Sequence, residues 1–562
     1  MDRSLFIAGA AGEGIQTIGD VVARSFLVHG YPVFASQEFE SRIRGGHSSV
    51  RIRVAASPQN APREDADILL AVNSAAAEQY ASALNPGGLL ITPADSSDRA
   101  AGSSTGERNL LAIPFSPLAT EHGGEAIYSN AVAAGALCAA IGLPFSVLER
   151  VLSMTFEKRG EDIVRANLVT ARAGFDLAVE RMAERRPDEL PSRSATYAFA
   201  SAHETIPIAA AAAGCRFIAA YPMSPSTGII TAFARDPGLG VFAEQAEDEI
   251  AAINMALGAS AAGTRAMTAT SGGGFALMAE GLSLAGMIET PIVIVIAQRP
   301  GPATGLPTRT AQEDLLFAIH AGHGEFPRVV LAPSDPQDAI DLTIRAFDLA
   351  DRLQVPAILL TDQFLADSRS SLESLVLPEE IPPRHLADPD EIDVYARYAP
   401  SDNGISPRLA FGQGGHVVGI DSDEHTPEGH ITEDLRIVRP AAVEKRLEKG
   451  RRLRAEIRPP ETDRTEDADT VLIGWGSTKN AIVEAVARLR ESGRKVGAMH
   501  FTELWPLPDI DAPEAVLWTV EGNATGQLAQ LLRGQLGWSI EGTLGRSDGL
   551  PIDARFIEER LS

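Results

Sequence analysis

The stretch Arg265-Ala-Met-Thr-Ala-Thr-Ser-Gly-Gly-Gly-Phe275 decides the fold class. Arg265–Thr270 reads as a strand, and three consecutive glycines follow, which destabilise any regular element. Such a run marks the close approach of another backbone, a ligand or a subunit; a flexible turn without a partner is the other reading. Outward from it, alanine-rich helical stretches, Glu249–Ala262 and Gly274–Gly286, stand on either side. Further strand candidates are Phe217–Tyr221, Val241–Ala243, Ile292–Ala297, Val329–Ala332 and Ala357–Thr361. Strands alternating with helices predict an α/β layer fold.

The same alternation opens the chain. Leu5–Ala8 reads as a strand, Gly9-Ala-Ala-Gly-Glu-Gly14 as a turn and Ile15–His29 as a helix; strands follow at Pro32–Ala35, Ser49–Val54, Asp67–Val72 and Gly88–Ile91. A mostly parallel sheet is expected. A first strand met at once by a glycine turn does not resemble a signal peptide. The polar, proline-bearing run Glu184–Ser194 reads as a linker. Near the other end Val471–Gly474, Ala481–Ser492 and Lys495–Phe501 form a small βαβ unit. The domains expected are therefore 1–185, 196–372, a proline- and charge-rich connecting segment 373–467, and 468–562. Within that segment Ala441–Ile457 is helical. Val443, Leu447, Leu453 and Ile457 could form its buried stripe, and its basic face is expected to be solvated rather than to meet an acidic partner or phosphate.

Composition narrows the function. Of 562 residues, 44% are hydrophobic and 22% charged, which is ordinary globular material. The 75 acidic against 49 basic residues give a net charge of −26, and such a surface repels nucleic-acid backbones. The acidity itself asks for no function beyond solubility. Cys138 and Cys215 are the only cysteines, too few for an iron–sulfur cluster or a disulfide scaffold, so a reducing cytoplasm fits. The longest apolar runs, Ile208–Gly214 and Pro291–Ala297, are far short of the roughly 18 residues of a membrane span.

Several loops follow strand ends, where α/β folds place ligands. Gly9–Gly14 could expose N–H groups to a phosphate or serve tight packing. It has neither the dinucleotide nor the P-loop spacing. Tyr221-Pro-Met-Ser-Pro-Ser-Thr227 carries hydroxyls on Ser224, Ser226 and Thr227 suited to a carboxylate, or to a helix cap. Glu249 follows several acids and begins an uncharged helix, so it is either a helix-start acid or a largely desolvated carboxylate. Arg299, after the strongest strand, offers a planar fork for bidentate binding of a carboxylate. Asp421-Ser-Asp-Glu-His425 with Glu428 and His430 matches no strong metal pattern, and no metal site is assigned.

Taken together, these stretches resemble the 2-oxoacid:ferredoxin oxidoreductases, and among them the large subunit in which a γ module precedes the α module. Gly9–Ile15 and Glu38–Ser48, including Arg42-Ile-Arg-Gly-Gly-His47, resemble the γ module. Tyr221-Pro-Met-Ser-Pro resembles the family's Tyr-Pro-Ile-Thr-Pro, with Ser224 keeping a hydroxyl where the family has threonine. Glu247–Ser260 and Thr270–Phe275 resemble the α module. Gly404-Ile-Ser-Pro-Arg408, Glu424-His425, Gly474–Ser477 and Glu521–Gln527 extend the likeness to the end.

The resemblance implies three α/β parts: a γ-type domain, a thiamine-diphosphate pyrimidine-binding domain with a parallel sheet, and a smaller transketolase-C-like domain. It assigns the catalytic contact with the aminopyrimidine ring to Glu249. Further cofactor contacts fall on Ser271 and Gly272, and substrate-carboxylate contacts on Ser224, Arg299 and Thr308. The chain lacks a Gly-Asp-Gly…Asn motif for magnesium and diphosphate. The family places that site, with a 4Fe–4S cluster, on a separate β subunit. Coenzyme A as co-substrate, ferredoxin as electron acceptor and a dimer of α–β heterodimers are implied in the same way. A fused γ–α chain is most similar to the 2-oxoglutarate enzymes; pyruvate, branched-chain 2-oxoacids or a non-catalytic partner role are the alternatives. Arg265 and Arg309 are open as cations for a second substrate carboxylate.

Overall fold

The computed structural model describes residues 1–40, 46–94 and 109–561, apart from the side chain of Glu184. Residues 42–45 of the Arg42–His47 stretch lie outside the described residues. The chain forms two units, Met1–Ala200 with Ser368–Ser374 and Ser201–Asp367 with Leu375–Ser562.

The first unit is built on an eight-stranded sheet. Asp2–Ala10, Ala66–Ala71, Leu84–Pro93 and Asn109–Ile113 run parallel. His47–Ala55, Val33–Phe39, Arg369–Leu372 and Ala198–Ala200 extend the sheet antiparallel from Asp2–Ala10. Half of the sheet thus departs from the parallel arrangement expected. The cause is local: only residues 40–46 join Val33–Phe39 to His47–Ala55, and a parallel crossover needs a dozen residues or more. The helix Ile15–Val28 buries Ile15, Ile18, Val21, Val22 and Phe26, an amphipathic spacing. Gly14 caps it at φ 73°. Beside it the Glu13 carboxylate accepts from the Ala10 N–H at 2.7 Å and from Asn73 at 2.6 Å. A carboxylate already fills this turn, which favours the packing role over the phosphate role.

The second unit contains two sheets. The larger has the order Glu503–Trp505, Val329–Leu331, Pro356–Asp362, Ile292–Gln298, Arg265–Thr270, Cys215–Ala220, Phe242–Gln245. Only Glu503–Trp505 runs antiparallel to its neighbour. Every residue of Ile292–Gln298 and Pro356–Asp362 is buried, as strands covered by helices on both faces must be. The smaller sheet orders Glu461–Asp463, Val496–Phe501, Thr470–Trp475, Val516–Glu521 and Ile540–Gly545, parallel after its first strand. Residues 369–372, assigned from the sequence to the 196–372 domain, form a strand that pairs in the first unit's sheet. No helix among the described residues is long and apolar enough to cross a membrane.

The connecting segment corrects one expectation. In the helix Val438–Glu456, Leu453 is buried but Leu447 is 45% exposed. Of its basic residues, Arg439, Arg451, Arg452 and Arg454 are exposed as expected, but Arg446 and Lys449 are buried. Lys445 donates to both Glu289 oxygens at 2.8 Å, and Lys449 donates to Glu289 as well. Burial works to raise the Glu289 carboxyl, but Lys449, Lys445 and Arg397 overcome it and hold it well below the usual carboxylate range. The acidic partner of this helix lies within the chain.

Candidate active site

Three neighbouring parallel strands set the site. Cys215–Ala220, Arg265–Thr270 and Ile292–Gln298 end at the same edge, and their following loops carry Ser224, Ser271 with Gly272, and Arg299. The fourth strand, Phe242–Gln245, leads into the helix Glu249–Ala261. Asp248 caps that helix by accepting from the Ala251 N–H at 2.7 Å, which leaves Glu249 on its first turn. Glu249 is 3% exposed. Its Oε1 is buried with no hydrogen-bond partner.

The glycine run has a physical cause. Gly272, Gly273 and Gly274 open the short helix Gly272–Leu277, so they are not a loose turn. A Cβ on Gly274 would lie 2.0 Å from the Thr270 hydroxyl and 2.6 Å from Glu249 Oε1. A Cβ on Gly272 would lie 2.3 Å from Asp314 Oδ2. Within the chain, side chains crowd Gly272 and Gly274, and the Ala303 backbone carbonyl faces Gly273. Three oxygens around the run are buried without a partner: Glu249 Oε1, Thr270 Oγ1 and Asp314 Oδ2. Unpaired buried polar atoms are costly, so such a concentration marks a place built for a ligand that hydrogen-bonds there.

The other predicted residues fall around this point. Ser271 is fully buried and its hydroxyl donates to Met223 Sδ at 2.6 Å. Ser224 is exposed, and its carbonyl accepts from Arg299 Nη1 at 2.7 Å. Ser226, the second hydroxyl of that loop, is spent on the Met223 carbonyl at 2.7 Å. Arg299 is half-buried; burial lowers its guanidinium from the ordinary value and the Asp314 carboxylate opposes that. Thr308 is buried in the loop that follows Arg299. Arg265 does not belong here. It begins its strand, at the opposite end from the glycines, and donates Nε to Asp351 Oδ2 at 3.1 Å. Arg384 and Arg408 converge on the same carboxylate, so this arginine is structural.

Sequence reasoning missed Asp314 and the groups that hold it. The segment Gln312–Leu316 is clamped by the smaller sheet's loops. The Gln312 N–H donates to the Gly522 carbonyl at 2.7 Å. Its side chain accepts from the Gly522 N–H and donates to the Trp475 carbonyl, both at 2.9 Å. Asn523 donates to the Gln312 carbonyl at 2.9 Å, and Gln527 donates to the Glu313 carbonyl at 2.6 Å while accepting from the Leu316 N–H at 3.0 Å. Glu521, fully buried, fixes that loop by accepting from the Leu528 and Ala529 N–H groups at 2.7 and 3.2 Å. The motifs Gly474–Ser477 and Glu521–Gln527 thus present Asp314 to the glycine run. In the sequence Asp314 reads only as an acid before a short helix.

Elsewhere, a cavity of about 700 Å³ in the first unit, lined by Glu13, Asn73, Phe115 and Asn130 among others, includes none of these residues. No group of three or more His, Cys, Asp or Glu could hold a metal ion among the described residues. In the Asp421–His430 cluster, Glu424 pairs with Arg439 and Arg446, and His425 lies on Tyr398 with ring centroids 3.8 Å apart.

Known proteins resemble the chain in sequence and fold. Residues 208–444 match the family model for the pyruvate flavodoxin/ferredoxin oxidoreductase thiamine-diphosphate-binding domain, and residues 4–177 match the pyruvate ferredoxin/flavodoxin oxidoreductase model. The 2-oxoacid:ferredoxin oxidoreductase 2 alpha subunit of Aeropyrum pernix is 31% identical over 624 aligned residues, covering 98% of this chain and 96% of the relative. The 2-oxoglutarate synthase subunit KorA of Methanocaldococcus jannaschii is 38% identical over 305 residues, 53% of this chain and 80% of the relative. The solved 2-oxoglutarate:ferredoxin oxidoreductase of Magnetococcus marinus, with 2-oxoglutarate, coenzyme A and succinyl-CoA bound, superimposes with a TM-score of 0.89. It is 32% identical over 100% of this chain and 99% of that one. Likeness along the whole length, in sequence and in fold, means that the chain belongs to the 2-oxoacid:ferredoxin oxidoreductases, as an alpha subunit of these multi-subunit enzymes with their thiamine-diphosphate-binding domain in its second unit.

Proposed function

We propose that the chain serves a cytoplasmic 2-oxoglutarate:ferredoxin oxidoreductase, catalysing coenzyme A-dependent oxidative decarboxylation of 2-oxoglutarate or its reverse, with electrons exchanged with ferredoxin. Two similarities favour this substrate: the KorA relative, and the Magnetococcus enzyme solved with 2-oxoglutarate. A β subunit would hold magnesium, the cofactor's diphosphate and a 4Fe–4S cluster, and the α–β pair would dimerise. The two cysteines here are buried and apart from any such role; burial pushes both thiols up to about 12.

The single observation that carries the reading is the buried, unpartnered Oε1 of Glu249 beside the glycine run. Its chemistry fits an aminopyrimidine ring, whose protonated nitrogen would satisfy that acceptor in a site of low dielectric. Bound thiamine diphosphate supplies the carbon nucleophile and the electron sink that decarboxylation of a 2-oxoacid requires. Glu249 holds a proton on the ring side and tunes its transfer. Ser271 and Gly272 would border the ring, and the absence of a side chain at Gly272 and Gly274 leaves room for the Asp314 and Glu249 carboxyls. Arg299, with Ser224 and Thr308, orients the substrate carboxylate that leaves as CO₂. Because that charge disappears in the step, these groups must fix the C1–C2 bond without over-stabilising the carboxylate.

The test is the complex reconstituted with its β subunit and assayed with a low-potential acceptor. Arg299→Ala is expected to raise KM for 2-oxoglutarate by about ten- to a hundredfold, as loss of a charge-assisted fork should. An unchanged KM removes Arg299 from the carboxylate site. A higher kcat/KM for pyruvate than for 2-oxoglutarate in the unaltered complex rejects the substrate.

A further inference from the structure

We infer that Asp314 is a further substrate-binding residue, a carboxylic acid that must carry its proton for a 2-oxoacid to bind beside Arg299. The inference rests on the site reading above and adds a residue and a condition to it. The Asp314 carboxyl lies against the Cα of Gly272, near enough that a Cβ there would stand 2.3 Å from Oδ2 and 2.6 Å from Oδ1. Oδ2 is buried and makes no hydrogen bond. The residue is held from behind: its N–H donates to Gln298 Oε1 at 2.9 Å, and Gln298 is fully buried at the end of the central strand. The clamp of Gln312, Asn523 and Gln527 fixes its flanks. A side chain so firmly placed, with an idle oxygen facing the site, is poised to make a contact that the isolated chain does not contain.

The charge balance decides which protonation state makes that contact. The charged groups acting on Asp314 are Glu313, on its own segment, and Arg299, from the adjacent strand end; Glu249 lies across the glycine run. Burial pushes the carboxyl up to about 6, Glu313 adds to the rise and Arg299 opposes it. A 2-oxoacid brings a carboxylate to Arg299. An ionised Asp314 competes for the same guanidinium and repels the substrate. A protonated Asp314 donates Oδ2–H to a substrate oxygen and leaves the full charge of Arg299 available. The proton stays on Asp314 while substrate is bound, so no other co-reactant is needed. Glu313 acts on this balance through its charge, and its Oε2 accepts from the Gly301 N–H at 2.8 Å.

The experiment measures KM for 2-oxoglutarate in the reconstituted complex from about pH 5.5 to about pH 8, where both substrate carboxylates are largely ionised. The unaltered complex is expected to show KM rising above about pH 6 by about tenfold per pH unit, to roughly a hundredfold by about pH 8. Asp314→Asn, which keeps a donor but cannot ionise, is expected to flatten the KM profile. Glu313→Gln, which removes the neighbouring charge, is expected to move the rise to lower pH. These two results support the inference. A KM profile for Asp314→Asn that rises as in the unaltered complex overturns it, as does a change confined to kcat. Should Asp314→Asn fail to assemble, the Glu313→Gln profile decides alone, and an unshifted rise overturns the inference. Arg299→Ala in parallel separates the two claims: if its KM is unchanged, the site reading itself has failed.

Discussion

Gly274 shows how one missing methyl group organises the site. The Thr270 hydroxyl and the Glu249 carboxylate occupy the space where its side chain would be. Gly274→Ala is therefore expected to lose about 1–3 kcal/mol of stability through overpacking and to depress activity by displacing Glu249. Gly273→Ala is the control. Its Cβ would meet only the Ala303 carbonyl at 3.7 Å, so thermal denaturation should show a melting temperature unchanged or higher, as alanine is the better helix former. At this scale the sequence is informative where a residue is odd for its surroundings. Three glycines after a strand, an acid before an uncharged helix and an arginine at a strand end all invite a functional reading. Asp314 does not stand out, because an acid ahead of a helix is ordinary. Only burial and the tertiary clamp distinguish it. Arg265 reads as an available cation because nothing local reveals its bond to Asp351.

The fully buried strands are legible as elements for a simple reason. Ile292–Gln298 is covered on both faces, so its sequence is an almost wholly apolar run bounded by turn residues; Arg265–Thr270 is equally buried, with mostly small and β-branched residues in place of large apolar ones. Shorter pieces are not. Glu503–Trp505 has three residues and takes its strand character from pairing with Val329–Leu331. The expected helix Gly274–Gly286 is two helices, Gly272–Leu277 and Ala279–Met287, interrupted at Met278. The helix Val438–Glu456 reads as solvated because its lysines and arginines dominate; their counter-charge, Glu289, lies far away in the sequence. Because Glu289 neutralises two buried ammonium groups, Glu289→Gln leaves them uncompensated. That variant is expected to lose about 3–5 kcal/mol in urea denaturation, with the midpoint shifted and the slope retained.

For the whole molecule, the division of labour follows from what the chain carries. It has a buried carboxylate, Glu249, and an arginine, Arg299, near the carboxyl ends of its parallel strands, but no Gly-Asp-Gly…Asn motif for magnesium and diphosphate. Its relatives are alpha subunits, in keeping with the proposal that a β subunit supplies the remaining groups. The central claim is that Glu249 governs proton transfer at the cofactor ring. The most direct measurement is the rate at which the complex, loaded with thiamine diphosphate and without substrate, exchanges the cofactor's C2 proton for deuterium, followed by quenched-flow NMR. Glu249→Gln is predicted to slow that exchange by at least about a hundredfold with the cofactor still bound. Exchange at the unaltered rate in the cofactor-loaded variant would contradict the account.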